Sequence, residues 1–89
     1  MSGDIPAINK QISAHFYQKA SILENKGAKN KFRALSYIRA AKAVASLASG
    51  LDDIYNKSWL AGLQKIKGVG NRLAHEIETE IKKRNLINK

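Results

Sequence analysis

Two glycines bracketing one valine, Gly68-Val69-Gly70, interrupt a stretch that is otherwise periodic in apolar residues. Before them Leu60, Leu63 and Ile66 fall every third residue, and after them Leu73, Ala74, Ile77 and Ile81 recur at helical spacing. Each pattern describes one buried face of a helix. Two short helices therefore meet at a turn one valine wide, and glycine opens the backbone angles such a turn needs. Val69 is expected to point inward and plug the gap. Ala74 is expected to be small where the helices cross, with Leu63, Ile66 and Ile77 sharing the core. Asn71 reads as the cap of the second helix, whose first N–H groups are unpaired donors at the positive end of the helix dipole. An anion is stabilised there, and a nucleic-acid phosphate is the natural one, since glycine leaves the backbone open to it. Lys65, Lys67 and Arg72 surround the turn and add full charges. The plainer alternative is a corner whose glycines only reverse the chain.

Upstream, Ile8, Ile12, Phe16, Ala20 and Leu23 form one helical stripe that ends near Lys26-Gly27, with Gly27 as a left-handed cap. Asn30 is the expected N-cap of a second helix running to about Ala48. In it Tyr37, Ala41, Val44 and Ala48 share a face with Leu35 and Ile38 beside it. Ala40, Ala41, Ala43 and Ala45 would let a neighbouring helix come close. Leu51 to Lys57 reads as an irregular or briefly helical connector, and Ser58 as the cap of a third helix from Trp59 to Ile66. The fourth runs from Arg72 to about Arg84. The expected fold is all-α, a compact four-helix domain containing one helix-hairpin-helix motif, with residues 1–8 a flexible lead and 9–86 the domain.

Composition limits the chemistry. In a chain of 89 residues one modest core is all that can be buried. The absence of Cys removes disulfides and thiolate metal sites, and the two histidines, His15 and His75, stand alone without ligand spacing. Both are expected to face solvent. Sixteen Lys and Arg against seven Asp and Glu leave a net charge of +9, which favours anionic polymers or anionic membrane surfaces. No helix joins a wide apolar face to a concentrated basic one, no apolar run could span a bilayer, and no signal peptide is indicated. An intracellular protein is expected, cytoplasmic in a prokaryote or nuclear in a eukaryote.

Two blocks give the chain a resemblance. Phe32-Arg33-Ala34-Leu35-Ser36-Tyr37-Ile38-Arg39-Ala40-Ala41 follows an F-R-x-x-x-Y-x-x-A-A pattern, and Leu63 to Ile77 follows L-x-x-[LI]-x-G-[VI]-G-x-x-[LI]-A-x-x-I. On these residues, over about Asn9 to Leu86, the chain resembles the helix-hairpin-helix domain at the N-terminus of family X DNA polymerases, the DNA polymerase beta type. The N-terminal domain of crossover-junction endonucleases is similar as well. The resemblance implies a grip on gapped or nicked DNA without sequence preference. It also implies a pocket for a 5′ phosphate, to which Arg33, Tyr37 and Arg72 correspond. Backbone carbonyls matching Gln64, Ile66 and Val69 would hold a monovalent cation, Na+ or K+, bridging to a phosphate; no other cofactor is implied.

Some family members excise a 5′-deoxyribose phosphate through a lysine Schiff base. The residue aligned with that lysine is Glu76, and a carboxylate forms no imine. The sequence ends at Lys89 without a polymerase palm, so neither activity is expected. Residues expected to contact DNA are Gly68, Val69, Gly70, Asn71, Arg72, Lys65, Lys67, Arg33, Tyr37 and Arg39, in a monomer that serves DNA repair or replication. Arg33, Arg39 and Lys42 could equally form a solvated face, since their spacing is not a regular stripe. Lys82-Lys83-Arg84 is expected to cap the last helical turn, and Trp59 to pack on the core rather than stack on a base. Two alternatives stay open. A protein-interaction module could use the small-residue face of the second helix beside other repair proteins, or a lyase could use a displaced lysine such as Lys65 or Lys67.

Overall fold

A computed structural model describes residues 5–87. Four helices, α1 (Ala7–Asn25), α2 (Lys31–Ala45), α3 (Leu51–Gln64) and α4 (Asn71–Ile87), follow one another, with a 3₁₀ turn at Ala28–Asn30 leading into α2. No strand occurs among the described residues, so the fold is all-α. Two antiparallel pairs build it: α1 lies along α2, and α3 pairs with α4 through the glycine turn.

The α1 stripe is the expected one. Ile12, Phe16 and Ala20 are enclosed, with Ile8 and Leu23 partly so. The helix begins at Ala7, inside the segment read as a lead. It stops at Lys26, after which Gly27 takes φ +118°, a conformation closed to most side chains. Ala34, Ala40 and Ala41 are fully enclosed, so α1 can approach the backbone of α2. The Ser13 hydroxyl donates to the Ala41 carbonyl at 2.9 Å across that contact. Asn30 occupies the cap position of α2 without making a side-chain cap bond, and α2 ends at Ala45, earlier than expected.

The connector is helical from its first residue. Asn9 causes this from a distance: its buried amide accepts the Leu51 N–H at 2.8 Å and donates to the carbonyls of Ser49 at 3.0 Å and Val44 at 3.4 Å. Asp52 and Asp53 in the first turn of α3 then oppose its dipole. The start expected at Ser58 survives only as a kink within α3, where Trp59 adopts φ 57° and ψ −150°, angles nearly reserved for glycine. Trp59 does not pack on the core: it is 67% exposed and meets the Tyr55 ring edge-on at 5.6 Å.

One core joins the pairs. Leu51, Tyr55, Leu63 and Val69 contribute from α3 and the turn, and Leu73, Ala74, Ile77 and Ile81 from α4. Val69 is inward and Ala74 fully enclosed, whereas Leu60 and Ile66 are only partly covered.

Candidate nucleic-acid interface

The hairpin turn is tight because its backbone bonds are local. Ile66 N–H donates to Leu63 at 3.2 Å, and Val69 N–H donates to Ile66 at 3.0 Å. Gly68 sits at φ +96°, and a Cβ there would lie 3.1 Å from the Ala43 Cβ on α2. Conformation and space both demand glycine. Gly70 differs from the expectation that both glycines serve the turn: its φ is not positive, and an added Cβ would meet nothing within 4 Å. The chain's own geometry gives no reason for Gly70 to lack a side chain, and the space it leaves open belongs to a cleft.

That cleft, about 570 Å³, is walled on α2 by Arg33, Ser36, Tyr37 and Arg39 and on the other side by Gly68 through Leu73. Ala74 N–H donates to the Gly70 carbonyl at 2.9 Å, closing the first turn of α4. Gly70 therefore takes the cap position and Asn71 is the first helical residue, one step from the assignment made on sequence. The N–H groups of Asn71, Arg72 and Leu73 precede that bond and have no partner within the helix. No acidic residue occupies the first turn of α4. Among the described residues, Arg33, Arg39 and Arg72 have no carboxylate within 4 Å. Three arginines without a carboxylate partner and a helix start thus line one cleft.

Tyr37 combines the two roles read for it. Its ring is buried against Phe16, edge-on at 5.4 Å, while its hydroxyl donates to Glu76. Lys19 from α1 approaches the same carboxylate at 2.8 Å. Burial and the bond to Glu76 push the Tyr37 phenol above its ordinary value, and the bond to Glu76 raises the Lys19 ammonium likewise. Glu76 therefore joins α1, α2 and α4 beside the cleft.

Lys65 and Lys67 are not part of this cleft. They rim a second groove, also about 570 Å³, lined by Ala43, Ser46, Leu47, Ile54, Gly62 and Ile66. The carbonyl of Ile66, one of the three matched to a cation, already accepts Val69 N–H and keeps one lone pair. Uncharged carbonyl oxygens of this kind suit a hard cation of low charge. Among the described residues no cluster of three or more His, Asp or Glu could hold a metal.

Phe32 was missed on sequence as a surface residue. It is 81% exposed, next to Arg33 at the start of α2. The inward spacing of Ala34, Tyr37, Ala41 and Val44 already turned it outward, and that was the available signal.

The cations toward the end of α4 are engaged elsewhere. Lys82 lies 3.9 Å from Glu78 and Lys83 lies 3.7 Å from Glu80. Arg84 reaches both Glu80 and Gln11. Since α4 continues to Ile87, Lys82 and Lys83 pair along the helix instead of capping its last turn. His15 is half-buried and 3.6 Å from Glu80, not simply solvent-facing, while His75 is exposed and 3.9 Å from Glu78. No helix among the described residues is long and apolar enough to cross a membrane.

A family model described as a helix-hairpin-helix domain matches residues 7–86. No curated protein and no solved structure gives a significant match.

Proposed function

Because the chain belongs to the helix-hairpin-helix domain family, whose members generally bind DNA without sequence preference, we propose that it holds DNA through backbone phosphates at the Arg33–Arg39–Arg72 cleft. One observation carries this reading: three arginines without carboxylate partners share a cleft with the uncapped start of α4. Phosphate is recognised by such a combination of forked donors, backbone N–H groups and dipole. Base edges are not needed, and contacts to phosphate carry no sequence information.

The natural setting is gapped or nicked DNA in repair or replication, bound by a monomer. The carbonyls of Gln64, Ile66 and Val69 would add a sodium or potassium ion between the hairpin and a phosphate. The chain acts as a binding module and not as a lyase. Glu76 cannot form an imine, and Lys65 and Lys67 open onto a different groove.

Fluorescence anisotropy on a gapped duplex across a salt series tests the proposal. Affinity should fall with a log–log slope of about −3, the release expected when about three phosphates are neutralised. Arg72→Ala should make that slope shallower by about one. A flat salt dependence would sink the reading.

A second reading rests on the groove rimmed by Lys65 and Lys67, whose floor of Ala43, Leu47, Ile54 and Ile66 is mainly apolar. It would make the domain a protein-interaction module of a repair or nuclease complex. An NMR titration with gapped DNA separates the two. Shifts gathered at Gly68 to Arg72 belong to DNA binding at the cleft, and their absence there favours a protein partner.

A further inference from the structure

We propose that the cleft binds phosphodiesters along a strand with no preference for a terminal 5′ phosphate, because Glu76 withholds the Tyr37 hydroxyl from the ligand. This rests on the DNA-binding reading above and specifies which phosphate that site takes.

The argument is a count of donors. A tyrosine hydroxyl has one hydrogen to give, and so has a serine. Tyr37, a wall of the cleft, gives its hydrogen to Glu76. Ser36, the other hydroxyl in the cleft, gives its own to the Phe32 carbonyl at 3.1 Å. Both hydroxyls can only accept from that side, and a phosphate is itself purely an acceptor. Lys19, whose ammonium lies 2.8 Å from Glu76, holds that carboxylate in place beside Tyr37.

The donors that remain are the Arg33, Arg39 and Arg72 guanidinium groups, the Asn71 amide and the N–H groups of the first α4 turn. A diester presents two non-bridging oxygens with one negative charge, and these donors suffice for it. A terminal monoester presents three oxygens and close to two charges at neutral pH. Its third oxygen calls for a further donor, and here the Tyr37 and Ser36 hydroxyls are spent. Glu76 is thus a positioning residue, acting on the ligand through Tyr37.

The test compares two one-nucleotide-gapped duplexes that differ only in a 5′ phosphate or 5′ hydroxyl at the downstream end, by anisotropy at fixed salt. For the wild-type chain the two affinities should agree within about threefold, since the added charge, close to two units, is exposed and largely screened. Glu76→Ala frees the Tyr37 hydroxyl and should raise the preference for the phosphorylated end on the order of tenfold, the worth of one hydrogen bond to a charged group. Glu76→Ala combined with Tyr37→Phe should return the ratio to the wild-type value. Circular dichroism on each variant confirms the helical fold before binding is measured.

A wild-type preference of tenfold or more for the phosphorylated end overturns the inference. So does an unchanged ratio in Glu76→Ala, or a gain that survives Tyr37→Phe and therefore belongs to the released Lys19. A wild-type chain that binds neither duplex overturns the DNA reading and this inference with it. Equal, salt-dependent binding of both leaves the DNA reading intact whatever the variants do.

Discussion

The two glycines of the hairpin should respond in opposite ways to the same substitution. At Gly68 the backbone has φ +96°, and alanine there carries roughly 1–2 kcal/mol of conformational cost. Its Cβ would also lie 3.1 Å from the Ala43 Cβ. Ala43 sits on packed α2 and Gly68 in a turn held by local backbone bonds, so relief requires a backbone shift, adding on the order of 1 kcal/mol or more. The reduced freedom of the unfolded chain returns about 0.4–1 kcal/mol. Gly68→Ala should therefore lose about 2 kcal/mol, a fall in Tm of roughly 8–16 °C for a domain of this size. At Gly70 neither cost applies, because φ is not positive and an added Cβ meets open space. Gly70→Ala should stay within about 1 kcal/mol of wild-type stability, since the reduced freedom of the unfolded chain offsets the poorer fit of alanine at a cap position. Its methyl group would stand in the cleft, however, and keep a phosphate away from the N–H groups of α4. Losing one charge-assisted hydrogen bond there should weaken DNA binding on the order of tenfold. Thermal unfolding by circular dichroism and anisotropy on the same samples separate the two effects. If Gly70→Ala binds as tightly as wild type, or Gly68→Ala unfolds at the wild-type temperature, the division of labour argued for the glycines is wrong.

Asn9→Ala removes the amide that accepts the Leu51 N–H and donates to Ser49 and Val44; urea denaturation should show a loss of about 2–4 kcal/mol, because buried backbone groups are left unsatisfied. Alkaline stability should follow Tyr37 and Lys19. Both pKa values are raised by folding, so their contribution is complete below the unfolded tyrosine value of 10.0 and is lost as pH rises through the folded values. A Tm series taken upward from about pH 8 should fall more steeply for wild type than for Tyr37→Phe; parallel curves would contradict the Tyr37–Glu76 bond.

What was legible in the sequence follows from how local each signal is. The α1 stripe, the Ala-rich approach of α2 and the Gly68-Val69-Gly70 break are set by spacing within a few residues, and they stand where periodicity places them. The start of α3 was not legible. Asp52-Asp53-Ile54-Tyr55-Asn56-Lys57 has no strong stripe, and the group that satisfies the Leu51 N–H is Asn9, a residue 42 positions away. The kink at Trp59 fell where a cap was expected, but no cap rule foresees a tryptophan at φ 57°. At the site, charge and glycine spacing marked the hairpin. They could not distinguish Arg72, which enters the cleft, from Lys65 and Lys67, which rim the groove lined by Ala43 and Leu47. That choice depends on where α2 crosses, a tertiary fact. Nor could they show that Tyr37 spends its hydroxyl on Glu76, since the two residues are 39 positions apart.

Three glutamates on α4 run against the proposal that its start meets DNA, and their placement resolves the difficulty. Glu76 faces Lys19 and Tyr37, Glu78 takes the Tyr55 hydroxyl at 2.7 Å beside Lys82, and Glu80 meets His15, Lys83 and Arg84. Each carboxylate is absorbed by α1, α2, α3 or its own helix, so none offsets the arginines of the cleft. The helix starts differ in the same sense. The start of α3 is closed, with Asp52 and Asp53 in its first turn and Asn9 on its leading N–H group. That of α4 has no acid in its first turn and only Gly70 at the cap position. A side-chain cap would stabilise α4 by about 1 kcal/mol, but it would occupy donors that a phosphate needs. One fold thus contains a helix start completed for stability and another left incomplete, and the incomplete one lies between Arg33, Arg39 and Arg72.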